Sequence, residues 1–490
     1  MPEPSLEQRG FAGHPRGLQT LFFTEMWERF SYYGMRALLM LYMVAKPEAG
    51  GLGLEVPIAS GIYGLYTGMV YFTAIPGGWI ADRLLGLKQA VFVGGVLIAL
   101  GHYAIAANHL PLFYLGLLLI VLGTGLLKPN VSSIVGQLYR SDDPRRDAGF
   151  SIFYMGINIG AWIAPIICGF LAQHAKFREM LGWVGIRAEH TWHWGFGAAA
   201  VGMTFGLIQY RLGGRHLEGV GEIKERVANP ALAWAGVVAA LIGLGVGIWL
   251  LWSWRAFIMV GAAIAFFWWL LAQARTAQER SRTYALIALF IFSALFWAAF
   301  EQAGSSLNLF AERRTQPELL GFSVPASWLQ SVNAMFIWML APVFAWIWIR
   351  LGPREPSSPG KFGLGLLFAG VGFLPVALAA WLSDRSGGAL VSPMWLVAVY
   401  LFHTIGELCL SPVGLSTVTK LAPERLVGSM MGVWFLSLSL GNFIGGWASS
   451  YFETLPLPQL FGAVAGTTLA SAVVLLVLTP WIKRLMGGVR

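Results

Sequence analysis

Seven ionisable side chains stand inside otherwise apolar stretches of this sequence: Glu25, Glu28, Arg29, Arg36, Lys128, Glu301 and Glu407. Such a group at the centre of a bilayer costs roughly 2.5–3.5 kcal/mol by insertion scales unless it faces a cavity or a partner. Four carboxylates and three cations leave one carboxylate over, so static ion pairs cannot neutralise the set. A zwitterionic ligand leaves that sum unchanged, but a proton alters it. At least one carboxylate is therefore expected to be protonated during part of a working cycle. The chemistry to which these residues point is recognition of a charged solute together with proton transfer. No H-E-x-x-H pair, nucleophile elbow or paired-aspartate motif stands out, so the chain is not expected to be an enzyme. A purely structural scaffold in the membrane would leave the seven charges without a purpose.

The elements that must position these groups are membrane helices. The chain of 490 residues is 57% hydrophobic and only 12% charged, against roughly 25% charged in an ordinary soluble domain. Its apolar residues come in long runs, without the alternation of an outer-membrane barrel. Charge-free runs cover 56–81, 89–127, 148–175, 190–210, 227–254, 256–274, 283–300, 319–349, 362–383, 386–406, 426–452 and 454–482. Adding a charged first helix near 24–45, and dividing 89–127 at "ANHLP", gives fourteen candidate spans, most near or above the roughly 20 residues that cross about 30 Å of hydrocarbon. The fold class expected is an all-α polytopic membrane protein.

Helical spacing gathers the charges. At about 100° per residue, Glu25, Arg29, Tyr32 and Arg36 fall within roughly 60° of one another, and Glu28 about 60° to one side. This stripe must face the interior. Lys128 lies in "GTGLLKPNVSS", where Pro129 frees an upstream carbonyl. Glu301 lies in "FWAAFEQAGSSLNLF", and Asn308, seven residues on, is expected on nearly the same face. Glu407 lies in "HTIGELCLSPVGLS". Charges divided between the first and second halves of the chain predict a cavity at the interface of two bundles.

Lysine and arginine fix the expected orientation. With a cytoplasmic N-terminus, 22 fall in loops on the cytoplasmic side and 8 on the other. Both termini are therefore expected in the cytoplasm, and the net charge of +9 is topogenic rather than a sign of nucleic-acid binding. Cys168 and Cys409 both lie in spans, so neither a disulfide framework nor a zinc site is expected. No A-x-A-like cleavage site follows the first apolar segment, so it is read as a retained helix.

Several motifs resemble those of the proton-dependent oligopeptide transporters, a branch of the major facilitator superfamily. "EMWERFSYYG" (Glu25–Gly34) resembles that family's first-helix motif E-x-x-E-R-F-x-Y-Y-G. "GGWIADRLLGLKQA" (Gly77–Ala90) resembles the superfamily's loop between helices 2 and 3. "FYMGINIGAW" (Phe153–Trp162) resembles the fifth-helix motif, with Ala161 where many relatives have serine, and "FEQAGSSLNLF" and "GELCLSPVGLS" resemble core helices 7 and 10. The resemblance implies two six-helix bundles with two inserted helices, fourteen spans in all, in a bacterial plasma membrane. It divides the chain into residues 1–215, a linker 216–280 carrying the inserted pair near 229–274, and residues 281–490.

The same resemblance implies proton-coupled uptake of di- and tripeptides, with protons as the coupling ion, no other cofactor, and no obligatory protein partner. Glu25, Glu28, Arg29 and Glu301 would carry proton coupling, and Arg36 and Lys128 would receive the peptide carboxylate. Glu407, Asn158 and Asn333 would hold its ammonium. Tyr32, Tyr33 and Tyr71 would line the cavity, and Trp297 and Trp434 would shape side-chain pockets. Arg36–Glu301 and Lys128–Glu407 would pair across the empty site. Gly64 stands where animal relatives carry a histidine implicated in protonation, which leaves the coupling to carboxylates. Asp82 and Arg83, readable as a plain topogenic turn, become a gating latch. His102 and His403 are read as packing residues, and "GNFIGG" (Gly441–Gly446) as close helix packing. A second substrate on the same scaffold, nitrate or a drug-like acid, is the alternative; Glu407 with Asn333 favours a peptide, since nitrate has no ammonium.

Overall fold

The computed structural model describes residues 10, 13–140, 143, 145–186, 190–223, 227–250, 255–319, 321–423 and 426–488. Of the loop cations in the orientation count, Arg9, Arg187, Lys224, Arg226, Arg425 and Arg490 lie outside these residues. The first half comprises α1 (Arg16–Val44), α2 (Val56–Phe72), α3 (Ala74–Ile80), α4 (Leu87–Ala106), α5 (Leu110–Gln137), α6 (Arg146–Gln173), α7 (Ala175–Trp183) and α8 (Trp192–Gly213). Next come α9 (Pro230–Leu250) and α10 (Arg255–Ala272). The second half comprises α11 (Ala277–Phe300), α12 (Ser306–Arg314), α13 (Ser331–Leu351), α14 (Ser358–Arg385), α15 (Met394–Leu421), α16 (Val427–Ser449) and α17 (Leu457–Leu485). A two-stranded hairpin, Glu318–Leu319 with Phe322–Ser323, precedes α13.

Among the described residues, ten helical stretches are long and apolar enough to cross a membrane. Together with α1, α8, α10 and α16 they correspond to the fourteen expected spans. Helix α1 starts at Arg16, eight residues before the expected boundary. The division at "ANHLP" is real. Asn108 takes φ 52°, a conformation its short polar side chain tolerates, and a proline occupies the first turn of α5. The apolar window of α9 buries none of its residues, as an all-round apolar helix does only against lipid.

Within the first half α1 packs on α6 and α8, and α4 on α5 and α8; within the second, α14 packs on α15 and α17, and α11 on α16. Helices α1 and α17 respectively begin and end at one face, the terminal face; the opposite face is distal. Contacts between halves run along α2–α16, α6–α13 and α1–α12, and many of them are distal. A Cβ on Gly446 would stand 2.7 Å from Gly64 Cα and 2.8 Å from the Ser60 carbonyl, so α16 and α2 meet backbone to backbone. Trp328 donates from Nε1 to the Ile166 carbonyl at 2.9 Å, and Ser327 donates to Gln173 Oε1 at 2.6 Å.

One proline and a glycine-serine run shape two of the elements that carry charge. Helix α5 continues across Pro129. The ring deprives the Gly125 carbonyl of its helical donor, and Gly77 packs on that carbonyl with no room for a side chain. The span holding Glu301 is not continuous. Helix α11 stops at Phe300, a 3-10 turn covers Glu301–Gly304, and α12 resumes at Ser306. Across this break Glu301 and Asn308, expected on nearly the same face, both meet α1: Glu301 pairs with Arg36, and Asn308 donates from Nδ2 to the Ala37 carbonyl at 2.9 Å. The turn is stabilised by Ser306 donating to Gln302 Oε1 at 2.9 Å, and Gly304 lets Tyr63 close against it.

Candidate functional site

A cavity of about 1080 Å³ lies between the halves. Its wall reaches Trp79, Asp82, Ser133 and Phe150 near helix ends on the terminal face, and stops distally at Arg36, Glu301 and Gln330. The cavity is thus bounded on the distal side by the α2–α16, α6–α13 and α1–α12 contacts.

Helix α1 presents Glu25, Arg29, Tyr33 and Arg36 to this space. Tyr32 and Glu28 are not on its wall, which corrects the expectation for Tyr32. Taking Glu25 as zero, Arg29, Tyr33 and Arg36 lie at roughly 40°, 80° and 20°, whereas Tyr32 and Glu28 lie at roughly −20° and −60°. The exposed face of α1 is rotated past them. Tyr32 is buried edge-on to Tyr33, ring centroids 5.2 Å apart. The remaining walls bring Tyr71 and Asp82, Lys128 of α5, Asn158 of α6, Trp297 and Glu301, Asn333 of α13, Glu407 of α15 and Trp434 of α16 to the same space. Arg83 is not on that wall; it sits beside Asp82 in a π-helical turn, Ala81–Leu85, and both are exposed.

The charges fall into distinct states of engagement. Arg29 Nε lies 3.0 Å from Glu25 Oε1 and 2.5 Å from Glu28 Oε2, so one guanidinium holds two carboxylates. Arg36 donates from Nε to the Tyr63 hydroxyl at 2.7 Å, and its Nη2 lies 2.5 Å from Glu301 Oε2. This is the cross-half pair expected. The other, Lys128–Glu407, does not form. Lys128 Nζ sits 3.8 Å over the Tyr71 ring, within its own half, where the ring quadrupole attracts a cation. Glu407 Oε2 accepts from Asn333 Nδ2 at 3.2 Å. Asn158 spends its amide on the Tyr154 carbonyl at 3.0 Å and is not bonded to either.

Among the described residues, then, and apart from the exposed Asp82 at its terminal end, two charges of opposite sign face the cavity without an ion-pair partner: Lys128 in the first half and Glu407 in the second. That arrangement can hold a solute with a negative and a positive end. The rings of Trp297 and Trp434 meet edge to face at 6.2 Å and give an apolar wall. Among the described residues no group of three or more His, Cys, Asp or Glu is placed to hold a metal ion.

The sequence model of the POT family matches residues 88–462. The chain belongs to the POT family. This POT chain is 41% identical to the peptide transporter YePEPT of Yersinia enterocolitica, over 98% of this chain and 97% of that protein. It is 41% identical to the uncharacterized transporter YclF of Bacillus subtilis, over 99% and 98%. A crystal structure of a peptide transporter POT in complex with sulfate superposes with a TM-score of 0.88 at 43% identity, covering 99% of this chain and 98% of that one. A POT family transporter in complex with 5-aminolevulinic acid superposes with a TM-score of 0.86 at 36% identity, covering 97% and 98%. Membership makes the POT chain a polytopic membrane transporter of the major facilitator type and not an enzyme.

The POT cavity also holds residues that the sequence reading passed over. Tyr400 and Ser411 line it from α15; at seven residues before and four after Glu407 they share its face, and the spacing alone could have found them. Gln330 lines it from a 3-10 turn, where no helical period applies. His403 touches the wall, but its ring packs 5.0 Å from Phe373 in the second half's core.

Proposed function

We propose that this POT chain imports di- and tripeptides together with protons by alternating access. The observation that carries the reading is the pair of unpaired poles, Lys128 and Glu407, facing one cavity from opposite halves. A peptide zwitterion matches them, carboxylate to Lys128 and ammonium to Glu407 with Asn333. The alternative cargoes, nitrate or a drug-like acid without an ammonium, leave Glu407 on the cavity wall without a cation. The peptide transporters among the relatives support the same choice, as does the relative that holds 5-aminolevulinic acid, itself an amino acid with a separated amine and carboxylate.

Protonation of Glu301 neutralises the acceptor of Arg36. The freed guanidinium, whose planar fork suits two carboxylate oxygens, then joins Lys128 at the peptide carboxylate. The halves rock about the filled site and release peptide and proton at the terminal face. The differential affinity of the two states for proton and peptide couples the fluxes. Glu25 and Glu28, sharing Arg29, form a second place where a proton can reside. In this reading Asp82 and Arg83 latch the terminal face when it closes. Both termini are cytoplasmic, the membrane is the bacterial inner membrane, and the working units are residues 1–215 and 281–490 joined by the segment 216–280.

The test is uptake of radiolabelled dialanine into proteoliposomes under an inward proton gradient and a negative-inside potential, wild type beside Glu301→Gln. Accumulation that collapses with an uncoupler, lost in the variant while counterflow persists, is the expected result. Acid-driven uptake unchanged in Glu301→Gln would overturn the coupling role. No dialanine uptake, with uptake of nitrate under the same gradient, would overturn the substrate.

A further inference from the structure

Tyr400 has no role in the scheme above, yet its position is unusual. It is 1% exposed, its hydroxyl has no hydrogen-bond partner among the described residues, and it lies on the cavity wall. A buried hydroxyl without a partner is costly, and native structures leave few of them. Its backbone carbonyl is engaged by Thr404 Oγ1 at 2.7 Å, so the residue is firmly seated in α15. It lines the same cavity as Arg36, and it shares a buried cluster with Tyr63, whose hydroxyl accepts from Arg36 Nε. Tyr400 therefore stands in the second half, across from a guanidinium of the first.

We infer that Tyr400 is a substrate-binding residue, whose hydroxyl donates to the peptide carboxylate once that carboxylate has replaced Glu301 at Arg36. The inference rests on the peptide reading. An ionised carboxylate has about four lone-pair sites. Arg36, its Nε spent on Tyr63, meets a carboxylate as a fork through two donors, and with one more from Lys128 a lone-pair site stays open. Tyr400 supplies a neutral O–H from the opposite half for that site. It acts only when the ligand is present, because Glu301 occupies the guanidinium in the empty protein. The carboxylate end of the peptide would then be held from both halves, and its ammonium end by Glu407 and Asn333 of the second half.

The test is Tyr400→Phe, which keeps the ring and removes the hydroxyl, read by dialanine counterflow in proteoliposomes and by the unfolding temperature of the ligand-free protein. Wild-type counterflow is measured first; its absence would remove the peptide reading and this inference with it. With wild-type exchange established, the expected result is a KM about tenfold higher, with Vmax and the ligand-free unfolding temperature unchanged. A KM within twofold of wild type, or a fall in Vmax and unfolding temperature at constant KM, would reduce Tyr400 to a packing residue and overturn the inference. An aminophosphonate analogue of dialanine, with three acceptor oxygens at that end, should show the same KM defect or a larger one; no defect with this ligand would also overturn it.

Discussion

Arg36 of α1 and Glu301 of the 3-10 turn meet through Nη2 and Oε2 at 2.5 Å, each side chain 5% exposed. The very next residue of α1, Ala37, accepts a hydrogen bond from Asn308 across the same interface. The ion pair and a contact of the distal closure are thus adjacent along one helix, within a single turn.

Removing one member of a buried pair strands the other. Arg36→Met should lower stability by about 3–5 kcal/mol, seen as a fall in unfolding temperature in detergent. Combining it with Glu301→Gln should restore much of that loss, because neither charge then remains. A double variant as unstable as the sum of the singles would show that the pair is not coupled.

Glu407→Gln keeps a hydrogen-bonding group near Asn333 but removes the negative pole. The KM for dialanine should rise about tenfold or more, in keeping with a charge-assisted contact. Inhibition by N-acetyl-dialanine, which has no ammonium, should be unchanged. Equal losses for both ligands would place the ammonium elsewhere.

Trp328→Phe retains the ring bulk beside α6 but loses the donor to the Ile166 carbonyl. The distal closure should weaken by about 1 kcal/mol, enough to raise the distally open population several-fold. Spin labels placed across the distal ends of α6 and α13 would report this as a longer distance component. An unaltered distance distribution counts against Trp328 as a clasp.

The loop between α5 and α6 should not contribute to acid dependence. Asp143 is held down to about 2 by hydrogen bonds from the Arg145 side chain, then from its backbone N–H. A depressed carboxylate stabilises the folded state above its ordinary value of 3.8 and loses that contribution only as pH falls through about 2. Asp143→Asn should therefore leave the pH profile of uptake between pH 5 and 8 unaltered, within the error of an uptake assay.

The charges and the spans were legible because hydrocarbon tolerates so few ionisable groups. Glu25, Arg29, Arg36, Lys128, Glu301 and Glu407 could be assigned to one cavity before any coordinates. What escaped were features decided by tertiary contact. The rotation of α1 that hides Tyr32 depends on neighbouring helices, which a 60° stripe cannot distinguish. The break after Phe300 falls in a run with no proline, and there Gly304 closes on Tyr63, a residue 241 positions away in the chain. Lys128 was expected to seek a carboxylate across the cavity; an aromatic face in its own half was nearer.

The meeting of Gly64 and Gly446 limits how this protein can vary. The contact is made by main chain alone, so neither position offers an intermediate step to a larger residue. A side chain at either site must arrive with a displaced neighbour helix. A histidine at the position of Gly64 would therefore need the α2–α16 interface of this chain to be rebuilt, so the packing that holds the two halves together also fixes which side chains this stretch of α2 can carry.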